Sequence, residues 1–307
     1  MKSASVAGSR RTLPDGWVLA AVALLVAVPD AMAAEPTAAG AMADAATSLP
    51  PHLRDRDGGL VTSALGTYVR ERELLVFPFA RYSRDSDIEY DPNEFGFSAP
   101  TEYLGHYDSS EVGALLAYGW NDRVAVEFQA AASRATLETA TEDNSGMPDR
   151  LEESGLGNVR ARITWRVLTE QGSRPEVFTY GTVAFPHDRD KRLIGTPDWF
   201  FNAGIGVIRG FDWGTVTVRS SVEFDLESQT VGDWGDTAIE YLKRLLPAWS
   251  VAGAILLRQG DEGLLIAEVQ WQPNPNVAIK LTNAQGITSN GLDWVPQLGV
   301  VFRFPGE

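Results

Sequence analysis

The chain has 307 residues, 44% hydrophobic and 22% charged, with 29 Gly, 17 Pro, no Cys and a formal charge of -15, which excludes a disordered or collagen-like polypeptide. The acidic balance argues against nucleic acid as a partner, because affinity for a phosphate backbone comes from Lys and Arg. No apolar run reaches the ~18 residues of a membrane helix, so any membrane span is built from strands; without Cys there is no disulfide framework, thiolate metal site or thiol nucleophile.

Lys2, Arg10 and Arg11 precede an apolar stretch from Trp17 to Val28, after which Pro29 and Ala31-Met32-Ala33 supply a breaker and small residues. This pattern predicts a secretory signal peptide over residues 1–33. Its removal takes away three basic and two acidic residues and leaves 23 against 39, a net charge of -16. Residues 34–70 are rich in Ala, Thr, Pro and charge without a sustained period. They read as a poorly ordered periplasmic lead-in, too short and too polar to fill a large lumen with a folded plug.

Beyond the lead-in, apolar residues recur with period two in segments of about ten, separated by Gly, Pro, Asn and Asp. Twelve strands are predicted, at about 72–83, 109–120, 123–136, 156–168, 176–186, 198–210, 214–225, 237–246, 248–258, 263–272, 276–285 and 293–304. In the fourth, Val159, Ala161, Ile163, Trp165 and Val167 share one face and Arg160, Arg162, Thr164 and Arg166 the other. Three guanidiniums on one face need partners or water, so this strand meets one apolar and one polar medium. Val216, Val218, Val222 and Phe224 repeat the pattern against Thr217, Arg219, Ser221 and Glu223.

The connections alternate in length. Trp120-Asn121-Asp122, 169–175, Phe211-Asp212-Trp213, the turn at Pro247 and Pro273-Asn274-Pro275 are short, whereas 84–108, 137–155, 187–197 and 226–236 are long. This parity places the two ends of the strands in different compartments. Trp120, Trp165, Trp199, Trp249, Trp271 and Trp294 lie near strand ends, where indoles favour the headgroup interface. An even-stranded sheet in lipid must close, since an open edge leaves backbone groups unpaired. The predicted fold is all-β: a closed antiparallel transmembrane β-barrel of about 12 strands over residues 71–304, with 305–307 as a tail. The last strand alternates Leu298, Val300, Phe302 and Phe304 with Gln297, Gly299, Val301 and Arg303.

Ser154-Gly155-Leu156-Gly157-Asn158 leading into Val159–Val167, the hairpins of 237–304 and the closing Gly299-Val300-Val301-Phe302-Arg303-Phe304 together resemble the outer-membrane barrel family named for phenol meta-cleavage pathways. The resemblance covers most of residues 72–304. It implies a barrel that passes small molecules, aromatic ones among them, and supplies no catalytic residues. Asn158 stands where an Asp is expected, and Pro305-Gly306-Glu307 follow the last aromatic residue.

Alternation points Glu111, Glu127, Arg160, Arg162, Arg166, Arg219, Glu223, Glu268, Lys280 and Arg303 inward, with Asp225, Glu240 and Arg258 on the same face. These are the lumen or permeation candidates. Two readings stand: a small polar conduit, since a barrel of this size is wider than the side-chain-filled eight-strand case, or a network of paired charges that closes the lumen. An Arg160, Arg162 and Arg166 ladder facing open water would favour anions. A lipid hydrolase would need Ser and His together; of the three His, His52 falls in the lead-in, while His106, near Ser109 and Ser110, and His187 fall in or beside long loops. The alternating acids Asp85, Asp87, Glu89 and Asp91 lack the bidentate Glu of a calcium loop, position twelve being Gly96. The sequence therefore predicts no enzyme, no cofactor and no metal site. It predicts a passive outer-membrane channel or transporter for small solutes in a Gram-negative bacterium, with lipids, lipopolysaccharide and the barrel assembly machinery as partners. A non-conducting structural or surface-interaction barrel is the alternative.

Overall fold

The computed structural model describes residues 49–90, 103–186, 191, 193–196, 199–225, 231–258, 262–288 and 291–306. The predicted signal peptide, residues 34–48, Asp91 and His187 lie outside the described residues, as do the side chains of Asp87, Glu89 and Asp225.

A 3₁₀ turn, Pro51–Arg56, opens the described chain, followed by a two-residue hairpin of β1 (Leu60–Val61) and β2 (Tyr68–Val69). The wall comprises β3 (Leu74–Tyr90), β4 (Tyr103–Gly119), β5 (Val124–Thr139), β6 (Arg150–Leu156), β7 (Val159–Leu168), β8 (Glu176–Phe185) and β9 (Phe200–Phe211). It continues with β10 (Gly214–Asp225), β11 (Val231–Leu246), β12 (Trp249–Leu257), β13 (Gly263–Asn274), β14 (Val277–Gly286) and β15 (Val295–Phe304). Neighbours in the ring pair antiparallel, and β15 closes on β3 through Leu298↔Ala80 and Phe302↔Val76. β6 and β7 both pair with β5, β6 along Ala132–Glu138 and β7 along Val124–Gln129. They are the upper and lower parts of one barrel strand, so the barrel has twelve.

The break falls at Gly157-Asn158. Gly157 donates its N–H to Ala131 O (2.8 Å), and the Asn158 carboxamide oxygen accepts from Thr196 N–H (2.8 Å). Among the described residues β6 has no ladder on its far side. That edge is met instead by Lys191 Nζ, donating to Ser154 O (2.9 Å), and by Leu193 N–H, donating to the Glu153 carboxylate (2.8 Å). The sequence reading of one uninterrupted strand from residue 156 is corrected accordingly.

Turn chemistry fixes the short-turn end. Asn121 Oδ1 accepts the N–H groups of Arg123 and Val124, both at 2.8 Å, and Asn274 Oδ1 accepts from Asn276 N–H (2.9 Å); these are side-chain-closed turns that stop a strand and reverse it. At the other end β3, β4, β5 and β11 run past their expected limits and β6 adds to the wall, shortening the long connections to 91–102, 140–149 and 226–230.

The outer surface is apolar. Leu116, Val126, Phe128, Ile163, Ile205, Val218, Ile239, Ile255, Leu265, Leu281 and Leu298 are all exposed, a band that water would not support and lipid would. Trp120, Trp165, Trp199, Trp213, Trp234, Trp249 and Trp294 are exposed as well, and Phe211, Trp213 and Tyr241 stack in series, with ring centroids 4.7 and 6.0 Å apart.

The core lies in the lumen, and part of it comes from the lead-in. Leu60 and Val69 pack on Leu75, Phe77, Leu115 and Val301, on the β3–β4–β15 side. Val61 and Tyr68, on the other face of the same ribbon, pack on Phe178, Tyr180, Ile208 and Leu242. The hairpin is therefore clamped between opposite walls. The expectation of a poorly ordered lead-in unable to form a plug does not hold from Pro51 onward: so few apolar residues suffice because each face of the ribbon meets a wall already lined with aromatic and aliphatic side chains.

Candidate functional site: a charged lumen with an internal plug

The plug enters at the short-turn end, beside the start of β3, and is seated there by charge. Arg56 donates to Glu170 Oε2 and to Glu176 Oε2, each at 2.7 Å, and its side chain is fully buried. Glu170, in the β7–β8 turn, also accepts Gly210 N–H (3.1 Å) and stands 3.4 Å from Arg209. Glu176 is shared with Arg166 (3.0 Å). Two guanidiniums alternating with two carboxylates compensate charges that could not be buried singly. Asp55 accepts Arg244 N–H (2.8 Å), and Asp57 pairs with the Arg244 guanidinium (2.9 Å). Gly210 is required for the fit: a Cβ there would lie 2.0 Å from His52 O.

The hairpin tip is held by polar wall residues a few positions in from the short-turn ends of β5, β13 and β14. Ser63 donates its N–H and hydroxyl to Glu127. Lys280 donates to Leu65 O and to Thr67 Oγ1 (2.6 Å), and Gln270 Nε2 donates to Gly66 O (2.9 Å). Lower down, Arg303 donates to Tyr68 O (3.1 Å) and stands 3.3 Å from Glu73.

The ten sequence-predicted residues fall into two groups. Glu127, Arg166, Glu268, Lys280 and Arg303 engage the plug or a residue that does; Arg166 reaches Gly59 O at 2.6 Å, and Glu268 pairs with Lys280 at 3.2 Å. Arg162 joins this group through Glu127 (3.7 Å) and stacks over the Tyr180 ring with its guanidinium carbon 4.0 Å from the centroid. Above the tip, Glu111 pairs with Arg81, Arg219 with Glu240 (2.7 Å), and Glu223 accepts from Asn202 (3.1 Å). Arg258, on the same rim, pairs with Asp236 and Glu262, both at 3.0 Å. Arg160 is exposed and makes no ion pair or hydrogen bond with a described residue. The ladder, which would favour anions only if it faced open water, is divided: two guanidiniums are engaged and one is not.

Sequence reasoning missed Arg56, Asp55, Asp57, Glu170 and Glu176. Their signal was the Arg54-Asp55-Arg56-Asp57 run, whose complementary charges lie more than a hundred residues away. The Ser–His arrangement considered for hydrolysis does not assemble: His106 Nδ1 contacts Ser86 O, not Ser109 or Ser110.

No family model and no curated protein sequence matches the chain. Solved structures do. The outer membrane channel from Pseudomonas putida F1 aligns with a TM-score of 0.53 at 13% identity, over 76% of this chain and 96% of that one. The KdgM porin in complex with disordered oligogalacturonate aligns at 0.44 and 8% identity, over 75% and 99%, and the CymD monoaromatic hydrocarbon channel at 0.38 and 8%, over 77% and 90%. What this chain shares with the Pseudomonas putida protein is its fold, a closed twelve-strand antiparallel barrel.

Proposed function

We propose that this chain is a bacterial outer-membrane channel that passes small solutes passively, aromatic compounds among them, and that its own N-terminal segment occludes the inner mouth. One observation carries the reading. A twelve-strand wall is too wide for its own side chains to fill, and here the lower lumen is filled by a separate segment held by hydrogen bonds and ion pairs to the wall and by the apolar faces of one short hairpin. The polar contacts can be exchanged for water and the apolar ones are confined to Leu60, Val61, Tyr68 and Val69, so the filling can leave while the wall stays intact. The resemblance of the closing hairpins to the meta-cleavage barrels supports small, partly aromatic cargo.

The apolar outer band, the exposed indoles and the basic-apolar N-terminus support export and residence in the outer membrane, with lipopolysaccharide and the barrel assembly machinery as partners. A non-conducting structural barrel is the second reading, favoured by the full burial of the Arg56 seat. Liposome swelling with a series of neutral sugars tests the choice. Entry of pentoses through the Arg56→Ala variant supports a channel, and exclusion by both the wild type and that variant supports the structural barrel.

A further inference from the structure

We propose that Arg160 is the anchor of a binding site for a small organic monoanion, a carboxylate on an apolar body, in the lumen above the plug. The inference rests on the channel reading, in that the site is a station on the solute's path.

Three observations carry it. The first is that Arg160 is the exception among its neighbours. Arg81, Arg162, Arg166, Arg219, Arg258, Lys280 and Arg303 all face the lumen, and each has a carboxylate within 4 Å. Arg160 has none among the described residues. Its wall neighbours across the ladder are Gln129 and Ala184, neither of which can neutralise it. A guanidinium presents a planar fork that matches a carboxylate with two parallel N–H···O bonds.

The second is position. β7 stands three strands from β3 one way around the ring of twelve and nine the other, which puts β13, with β12 beside it, opposite β7. Arg160 stands on the lumen-facing side of β7 and is exposed there, and Arg81, Arg258, Glu111 and Asp236 act on it electrostatically across the bore. The groups around it carry both signs. Glu111, Asp236 and Glu223, all in electrostatic contact with Arg160, disfavour a dianion such as phosphate, whereas one guanidinium without an ion-pair partner suits a single negative charge.

The third is the opposite surface. Leu256 is one lumen-facing step below Arg258 and Ala238 one such step below Asp236; both are buried with Leu264, and the half-buried Ile266 and Leu292 pack on them. A solute held by its carboxylate at Arg160 has the aliphatic side chains of Ile266 and Leu292 across the lumen for the rest of its body, and a purely polar anion gains nothing there.

Isothermal titration calorimetry of the full chain in a neutral detergent tests this, with benzoate, cyclohexanecarboxylate, benzamide and inorganic phosphate as probes. The expected result is saturable binding of both carboxylates, at least tenfold weaker binding of benzamide and phosphate, at least a tenfold loss in Arg160→Gln, and partial retention in Arg160→Lys. Heat-dependent gel migration shows that each variant is a folded barrel. Benzoate binding unchanged in folded Arg160→Gln, absent from the wild type, or matched by benzamide or phosphate overturns the site. Bilayer conductance of the same preparations separates this from the channel reading. A conducting protein indifferent to benzoate loses the site and keeps the channel, while a protein that stays silent with its plug loosened yet binds benzoate through Arg160 keeps the site and loses the channel.

Discussion

Arg56 of the plug and Glu170 of the β7–β8 turn meet at 2.7 Å with neither side chain exposed to solvent, although 114 residues separate them in the chain. Removing one member of a buried pair leaves the other charged and uncompensated, at a cost of about 3–5 kcal/mol. Arg56→Ala takes one partner from each of two buried carboxylates, leaving Glu170 with Arg209 at 3.4 Å and Glu176 with Arg166 at 3.0 Å. The expected outcome is an unseated plug on an intact wall: limited proteolysis of refolded protein cuts within residues 49–70 in the variant and spares them in the wild type, while the barrel core stays resistant in both.

The same seat can be disturbed without touching a charge. A methyl group at Gly210 would lie 2.0 Å from His52 O, and backbone on both sides leaves little room to yield. Gly210→Ala should therefore displace the 3₁₀ turn and reproduce the protease sensitivity of Arg56→Ala, with barrel stability as judged by heat-modified migration unchanged. A variant whose lead-in is as protected as the wild type's would show that the turn is not fixed at this point.

Much of the wall was legible because lipid and lumen impose opposite demands on alternate residues, so each strand carries its own record of both media. All twelve strands follow from that alternation, and 214–225 matches β10 end to end. It fails where the medium is the same on both faces. The outer ends of β3, β4 and β11 lie beyond the apolar band, where Asp85, His106 and Asp233 break the pattern, and those ends read as loops. The plug was illegible for a different reason: β1 and β2 are two residues long, too short for any period, and their partners are remote in sequence. Charge complementarity between Arg54–Asp57 and Glu170, Glu176 or Arg244 existed in the sequence but selects no unique pairing among 67 charged residues. Arg160, Arg162 and Arg166 alternate along one strand; contacts with the plug, Glu127 and Glu176, remote in sequence, distinguish the engaged pair from the third.

Ile239 faces outward in the middle of the wall, paired with Val218 and Ile255, and is 55% exposed. If that surface meets hydrocarbon, Ile239→Arg costs about 2–4 kcal/mol, whereas Leu245→Arg, near the short-turn rim of the same strand, costs roughly 0–1 kcal/mol. Equilibrium unfolding from phospholipid vesicles in guanidinium measures both. Equal penalties at the two positions would remove the case for a bilayer around this band.

The connection between β5 and β6 carries a pH-dependent element. Partial desolvation opposes the charge on Asp143, but hydrogen bonds from Leu104 N–H and from the Ser145 hydroxyl and N–H outweigh it and hold the carboxyl below the usual range. A depressed carboxyl contributes stability that is present above the unfolded value of about 4 and is lost as the pH falls through the lower folded value. Amide exchange at Leu104 and Ser145, corrected for intrinsic rate, should accelerate as the pH is lowered from 5 to 2.5. In Asp143→Asn it should be faster throughout and nearly flat with pH.

The central claim is a conduit closed by its own N-terminal segment, and single-channel recording in planar bilayers tests it most directly, with the wild type and Arg56→Ala refolded in parallel and gel migration as proof of barrel formation. The account predicts discrete conductance steps that are rare or small in the wild type and large and frequent in Arg56→Ala. Folded barrels that remain silent in both would contradict it and leave a structural role for the charged lumen.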